Sequence, residues 1–252
     1  MSNARTRPPC ARLTGRVLSD KYLNSEKPFL LRDERVDAFR THAEIAFRQK
    51  AREYFVRECE STPSGIPPAP ARVWRDLLTA PDQDGAPGKA GCSGVSEEVL
   101  VVDEASCRNP RLGLELIRRR TAADARGPQD EKLLRLAGMA GTAAHVFEAG
   151  TRAARARGLF SSSLMGFRDV QERLAGLLAA AEILRLGTMR ACHLVERGDP
   201  ERAGTELASF LEKGRSLVHE ARSFALDLLG EDWTRDHLPE DEPPPANERT
   251  QP

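Results

Sequence analysis

The stretch QDEKLLRLAGMAGTAAHVFEAGTRAARAR, residues 129–157, decides how the chain folds. Leu133, Leu136, Ala140, Ala144 and Phe147 recur three and four residues apart, the spacing that gathers side chains on one face of an α-helix. A helix is predicted over Asp130 to Arg157, with Gly158 where a C-terminal cap belongs. Beyond Phe160-Ser161-Ser162-Ser163, a second runs from Phe167 to Arg197 and carries Val170, Leu174, Leu177, Leu178, Ala181, Leu184 and Leu186. Gly198-Asp199-Pro200 closes it and opens a third, with Asp199 as N-cap and Pro200 at the first helical position, ending at Leu229 before Gly230. Each helix is about 45 Å long at the α-helical rise. Long amphipathic helices joined by short connections imply an antiparallel bundle, so the fold class is all-α.

Working outward, Val36, Phe39, Ala43, Phe47 and Tyr54 keep helical spacing through a first helix from Asp33 to Cys59. Pro63 to Pro70 interrupts it, a short helix surrounds Val73 to Leu78, and a Gly/Pro/Asp loop spans Pro81 to Gly91. The run Val99-Leu100-Val101-Val102 suits either a buried strand or a helix. Carboxylates just before it and apolar residues continuing at Ala105, Leu112 and Leu116 favour a helix. Arg118-Arg119-Arg120 through Gly127-Pro128 reads as a polar linker. The chain is thus divided into a disordered segment 1–31, an N-terminal helical part 32–118, a linker 119–128, the bundle 129–236 and a disordered tail 237–252.

Composition narrows the function classes. The 38 basic and 38 acidic side chains cancel, so no bulk field draws nucleic acid or an anionic membrane. No apolar run approaches a membrane span, and five scattered cysteines without a CxxC pair argue against a disulfide framework or zinc knuckle. A cytoplasmic protein without a metal is expected. His193 and His219 are expected as ordinary structural or surface histidines on bundle helices. Ser161-Ser162-Ser163 reads as a turn, and Arg152, Arg155 and Arg157 as a phosphate contact or a solvated helix face.

Residues Arg157-Gly-Leu-Phe160-Ser-Ser-Ser-Leu164-Met-Gly-Phe167-Arg168-Asp-Val170-Gln171 resemble the acyl-CoA dehydrogenase loop Arg-x-x-Phe-Gly-x-x-Leu-x-x-Phe/His-Gln-x-Val/Ile-Gln without a gap. The flanks agree: Arg173-Leu174-Ala175 through Arg185 looks like the following helix, and Leu228-Leu229-Gly230 sits where the family has Leu-His-Gly-Gly. Val101 to Ala105, Asn109-Pro110 and Leu112-Gly113 resemble a helix of the family's N-terminal domain.

The resemblance implies a flavin- and acyl-CoA-binding oxidoreductase acting on CH–CH groups. Under it, Arg157, Phe160 and Arg168 are the candidate FAD contacts. Glu131, in Glu131-Lys132-Leu133, takes the place of the catalytic base that some members carry at the start of this helix; its alternative role is a helix-dipole carboxylate. It further implies an acyl-CoA thioester as substrate and a homo-oligomer, or pairing with a related dehydrogenase.

The departures are equally specific. Only the 119–128 linker stands where the family has a β-domain. Ser161 replaces a glycine, Arg168 replaces the glutamine expected to touch flavin, and Glu231 replaces the second glycine of Gly-Gly. The family's terminal Tyr-Glu-Gly-Thr segment has no counterpart up to Pro252. Little or no stand-alone dehydrogenation is therefore expected, with assembly as the alternative role.

Overall fold

The computed structural model describes residues 42–60, 68–78, 95–123, 128–159 and 162–239, all within a unit spanning Asp33–Pro252. The expectations for residues 1–31, for the helix start at 33–41, for the 81–91 loop and for the tail from Asp241 lie outside the described residues. The helices are α1 (His42–Glu60), α2 (Pro70–Leu78), α3 (Val95–Arg108), α4 (Pro110–Ala123), α5 (Pro128–Ala156), α6 (Arg168–Glu196), α7 (Pro200–Leu229) and α8 (Glu231–His237).

The three long helices α5, α6 and α7 pack against one another as the periodicity requires. On α5, Leu133, Leu136, Ala140, Ala144 and Phe147 are all buried. On α6, Leu174, Leu177, Ala181 and Leu184 are buried, but Leu186 is 37% exposed because it falls off that face. Asp199 caps α7 by accepting from the Arg202 backbone N–H at 3.3 Å, with Pro200 at the first turn. Gly230 ends α7 at φ 97°, a conformation that a side chain would strain. The expected cap at Gly158 does not form. Instead Gly158 and Leu159 (β1) pair antiparallel with Ser163 and Ser162 (β2), and a 3₁₀ turn, Leu164–Gly166, leads into α6.

The N-terminal helices dock onto this bundle: α3 lies against α5, with α1 on α3 and α4 beside both α3 and α5. From Glu98 to Cys107 every residue of α3 is buried, as expected of a helix enclosed on all sides. That is why its sequence lacks a clean amphipathic period. A Cβ at Gly141 on α5 would stand 2.5 Å from the Asp103 carbonyl and 2.6 Å from Ser106 Cβ. Glycine thus sets how closely α3 and α5 approach.

Three further expectations need correction. The stretch through Leu116 is two helices, because Pro110 starts α4 and the Asn109 side chain accepts from the Leu112 N–H at 3.1 Å. Arg118–Arg120 belong to α4, which continues to Ala123, so the predicted linker shrinks towards residues 124–127, outside the described residues. The boundary expected at residue 237 falls within ordered structure, since α8 runs to His237 and Leu238 is buried.

Candidate functional site

Of the four residues singled out in the sequence, Glu131 lies apart from Arg157 and Arg168, and Phe160 is outside the described residues. Glu131 sits in the first turn of α5, where its 42%-exposed side chain pairs with Arg135 at 2.6 Å. Arg157 follows the other end of α5 and donates to the Leu228 carbonyl. Arg168 opens α6, exposed, and pairs with Glu172 at 2.6 Å. Glu131 and Arg157 are 26 positions apart along what is nearly one continuous helix, or about 39 Å at 1.5 Å per residue.

The chemistry that the chain does gather is elsewhere, on α3. Asp103, Glu104 and Glu98 are buried, and a buried carboxylate needs a cation and hydrogen bonds to offset desolvation. Arg185 of α6 supplies both to Asp103, its Nε reaching the two carboxylate oxygens at 3.0 and 2.9 Å and its Nη2 reaching Oδ1 at 3.0 Å. Arg48 and Arg52 of α1 hold Glu104 at 2.7 and 3.1 Å. Arg120 of α4 takes Glu98 at 3.0 Å. Burial alone would raise the Glu104 carboxyl, but Arg48 and Arg52 outweigh it and hold it down to about 2. Burial raises the Cys107 thiol well above its usual range, although the Arg185 Nη2 donates to its sulfur at 2.8 Å. The thiol is therefore protonated and not a nucleophile.

These groups escaped the sequence reading because the ion pairs join distant residues. The available signal was the pair Asp103-Glu104 placed directly after four apolar residues.

A cleft of about 430 Å³ opens between α1, the start of α3 and the end of α6, lined by Glu44, Phe47, Glu97, His193 and Glu196 among others. His193 Nε2 lies 3.0 Å from Glu44 Oε1, so His193 ties α6 to α1 as a structural histidine. None of Glu131, Arg157 and Arg168 lines this cleft. No group of three or more His, Cys, Asp or Glu side chains among the described residues is arranged to hold a metal. No described helix is long and apolar enough to cross a membrane.

No curated protein and no solved structure matches the chain. Residues 128–235, the span of α5 to α7 and most of α8, match the family model described as acyl-CoA dehydrogenase, C-terminal domain. Over that span the chain is similar to the C-terminal helical domain of acyl-CoA dehydrogenases, and its all-α bundle is consistent with that likeness.

Proposed function

We propose that this acyl-CoA dehydrogenase-like chain uses its bundle for assembly, with itself or with a full-length relative, and dehydrogenates acyl thioesters little or not at all on its own. The separation between Glu131 and the Arg157–Arg168 end carries this reading. Dehydrogenation needs a carboxylate at the α-carbon and a hydride acceptor at the β-carbon of the same substrate. A base at one end of α5 and flavin contacts at the other do not fit around one flavin within one chain. Arg157 and Arg168 are two exposed guanidinium groups flanking the loop, a donor set suited to a phosphate presented from outside. Glu131 is 42% exposed and paired with Arg135, so its carboxylate is held by a neighbour on its own helix and not enclosed in a substrate pocket.

A second feature supports assembly. Ala175, Gly176, Ala179, Ile183 and Leu186 form an exposed apolar stripe along α6, with Ile183 55% exposed. Apolar surface of that continuity is a candidate for burial by a partner.

The test is turnover of an acyl-CoA by the purified chain, supplied with FAD and an artificial electron acceptor, with a complete acyl-CoA dehydrogenase as positive control. The expected rate is indistinguishable from the protein-free blank. Robust turnover that disappears in Glu131→Gln would overturn the assembly reading and establish Glu131 as the base.

A further inference from the structure

Where α5 meets α8, three rings cluster: Trp233 and His237 lie 5.6 and 6.1 Å from His145, centroid to centroid, and 4.5 Å from each other, all near parallel. His145 is buried on α5, whereas His237 is exposed on α8. The rest of the α8 attachment is modest. Thr234 and Leu238 are buried, Arg111 of α4 donates to the Arg235 carbonyl, and Arg222 of α7 donates to the Pro239 carbonyl at 3.0 Å.

The hydrogen bonding fixes the state of His145. Its Nδ1 lies 3.0 Å from the Cys107 carbonyl oxygen, which can only accept, so Nδ1 carries the proton. Nε2 then presents a lone pair, buried and without a hydrogen-bond partner among the described residues. A second proton would create an N–H⁺ at Nε2 with no acceptor. It would do so where Arg108 of α3 and Arg152 of α5 already add positive charge, and His237 of α8 acts in the same direction.

We propose that α8 is an acid-released strap, docked on the neutral ring of His145 and set free when that ring takes a second proton.

Burial, more than any neighbouring charge, lowers the His145 pKa from its ordinary value of 6.5 to about 4. The sign follows from linkage. Once α8 lifts, Nε2 meets water and the ring regains its ordinary affinity for a proton. The docked state therefore keeps its full stability above about pH 6.5 and loses it progressively as pH falls towards 4. The docking equilibrium should fall by up to about tenfold per pH unit in the middle of that window, roughly 80-fold across it. Glu148, three residues on along α5, acts in the opposite sense, because burial raises its carboxyl and acid favours its covered, neutral form.

The experiment is hydrogen exchange of the full chain between pH 7.5 and 4.5, with protection corrected for intrinsic exchange rates. Amides of residues 231–238 should lose protection across this range while those of α5 and α7 keep theirs. His145→Phe and His145→Gln, which cannot take the proton, should lose no α8 protection as pH falls. His237→Gln should leave the transition in place. Unchanged α8 protection down to pH 4.5 would overturn the proposal. So would a transition that survives in both folded His145 variants or vanishes in His237→Gln.

Discussion

Around Asp103 and Glu104, buried carboxylates meet guanidinium groups from α1 and α6 at 2.7–3.1 Å. Against α8, by contrast, His145 Nε2 is buried without a hydrogen-bond partner among the described residues. Both regions touch α3 and α5, and both remove polar atoms from water. The first compensates the desolvation cost with paired charge and ties three helices together. The second leaves Nε2 of His145 without that compensation, which is why α8 is the element proposed to release first. Burial alone therefore does not tell which part of a bundle is rigid; the pairing of the buried groups does.

The sharpest break of that contrast is Arg185→Ala. It leaves Asp103 ionised and buried without its principal cation, and a loss of about 3–5 kcal/mol in urea-unfolding stability is expected. A loss below about 1 kcal/mol would mean that the network is not the clamp described here.

Acid separates the regions along one axis. Glu104 is held down to about 2, so its contribution is complete above the ordinary carboxylate range and is lost only as pH falls towards 2. Far-UV helicity should consequently persist through pH 4, after α8 has already lost protection, and collapse only below it. Simultaneous loss of bundle helicity and α8 protection would erase the distinction.

Trp233→Ala removes one of the two α8 rings that contact His145 and should cost about 1 kcal/mol, the scale of an aromatic pair. The change is expected in exchange rates at residues 231–238 and not in those of the bundle. The smallest effect belongs to Glu131→Gln. Its exposed pair with Arg135 contributes at most about 0.5 kcal/mol, so the unfolding midpoint should scarcely move.

The bundle was legible because each long helix buries one face. Periodic apolar residues, Asp199-Pro200 and Gly230 mark those helices and their ends in the sequence itself. Helix α3 was harder to read because it is enclosed on all sides, and continuous burial erases the period that distinguishes helix from strand. Helix α8 was not anticipated. With seven residues, it is placed by a stacking contact to a histidine some 90 positions earlier, which no local pattern encodes. The candidate site was legible only as motif positions. The sequence placed Glu131, Arg157 and Arg168 correctly along the helices, but spacing along a chain does not reveal that one helix holds two of them at opposite ends. The buried network was invisible for a related reason, since its partners are 22 to 82 residues apart.

The most direct test of assembly is the mass of the purified chain by light scattering at micromolar concentration, measured alongside Ile183→Glu. Expected is a mass of about twice 27.8 kDa or more, falling to the single-chain value when the charge is placed on the exposed stripe of α6. A wild-type chain that remains at 27.8 kDa both alone and mixed with a full-length acyl-CoA dehydrogenase would contradict the proposed role.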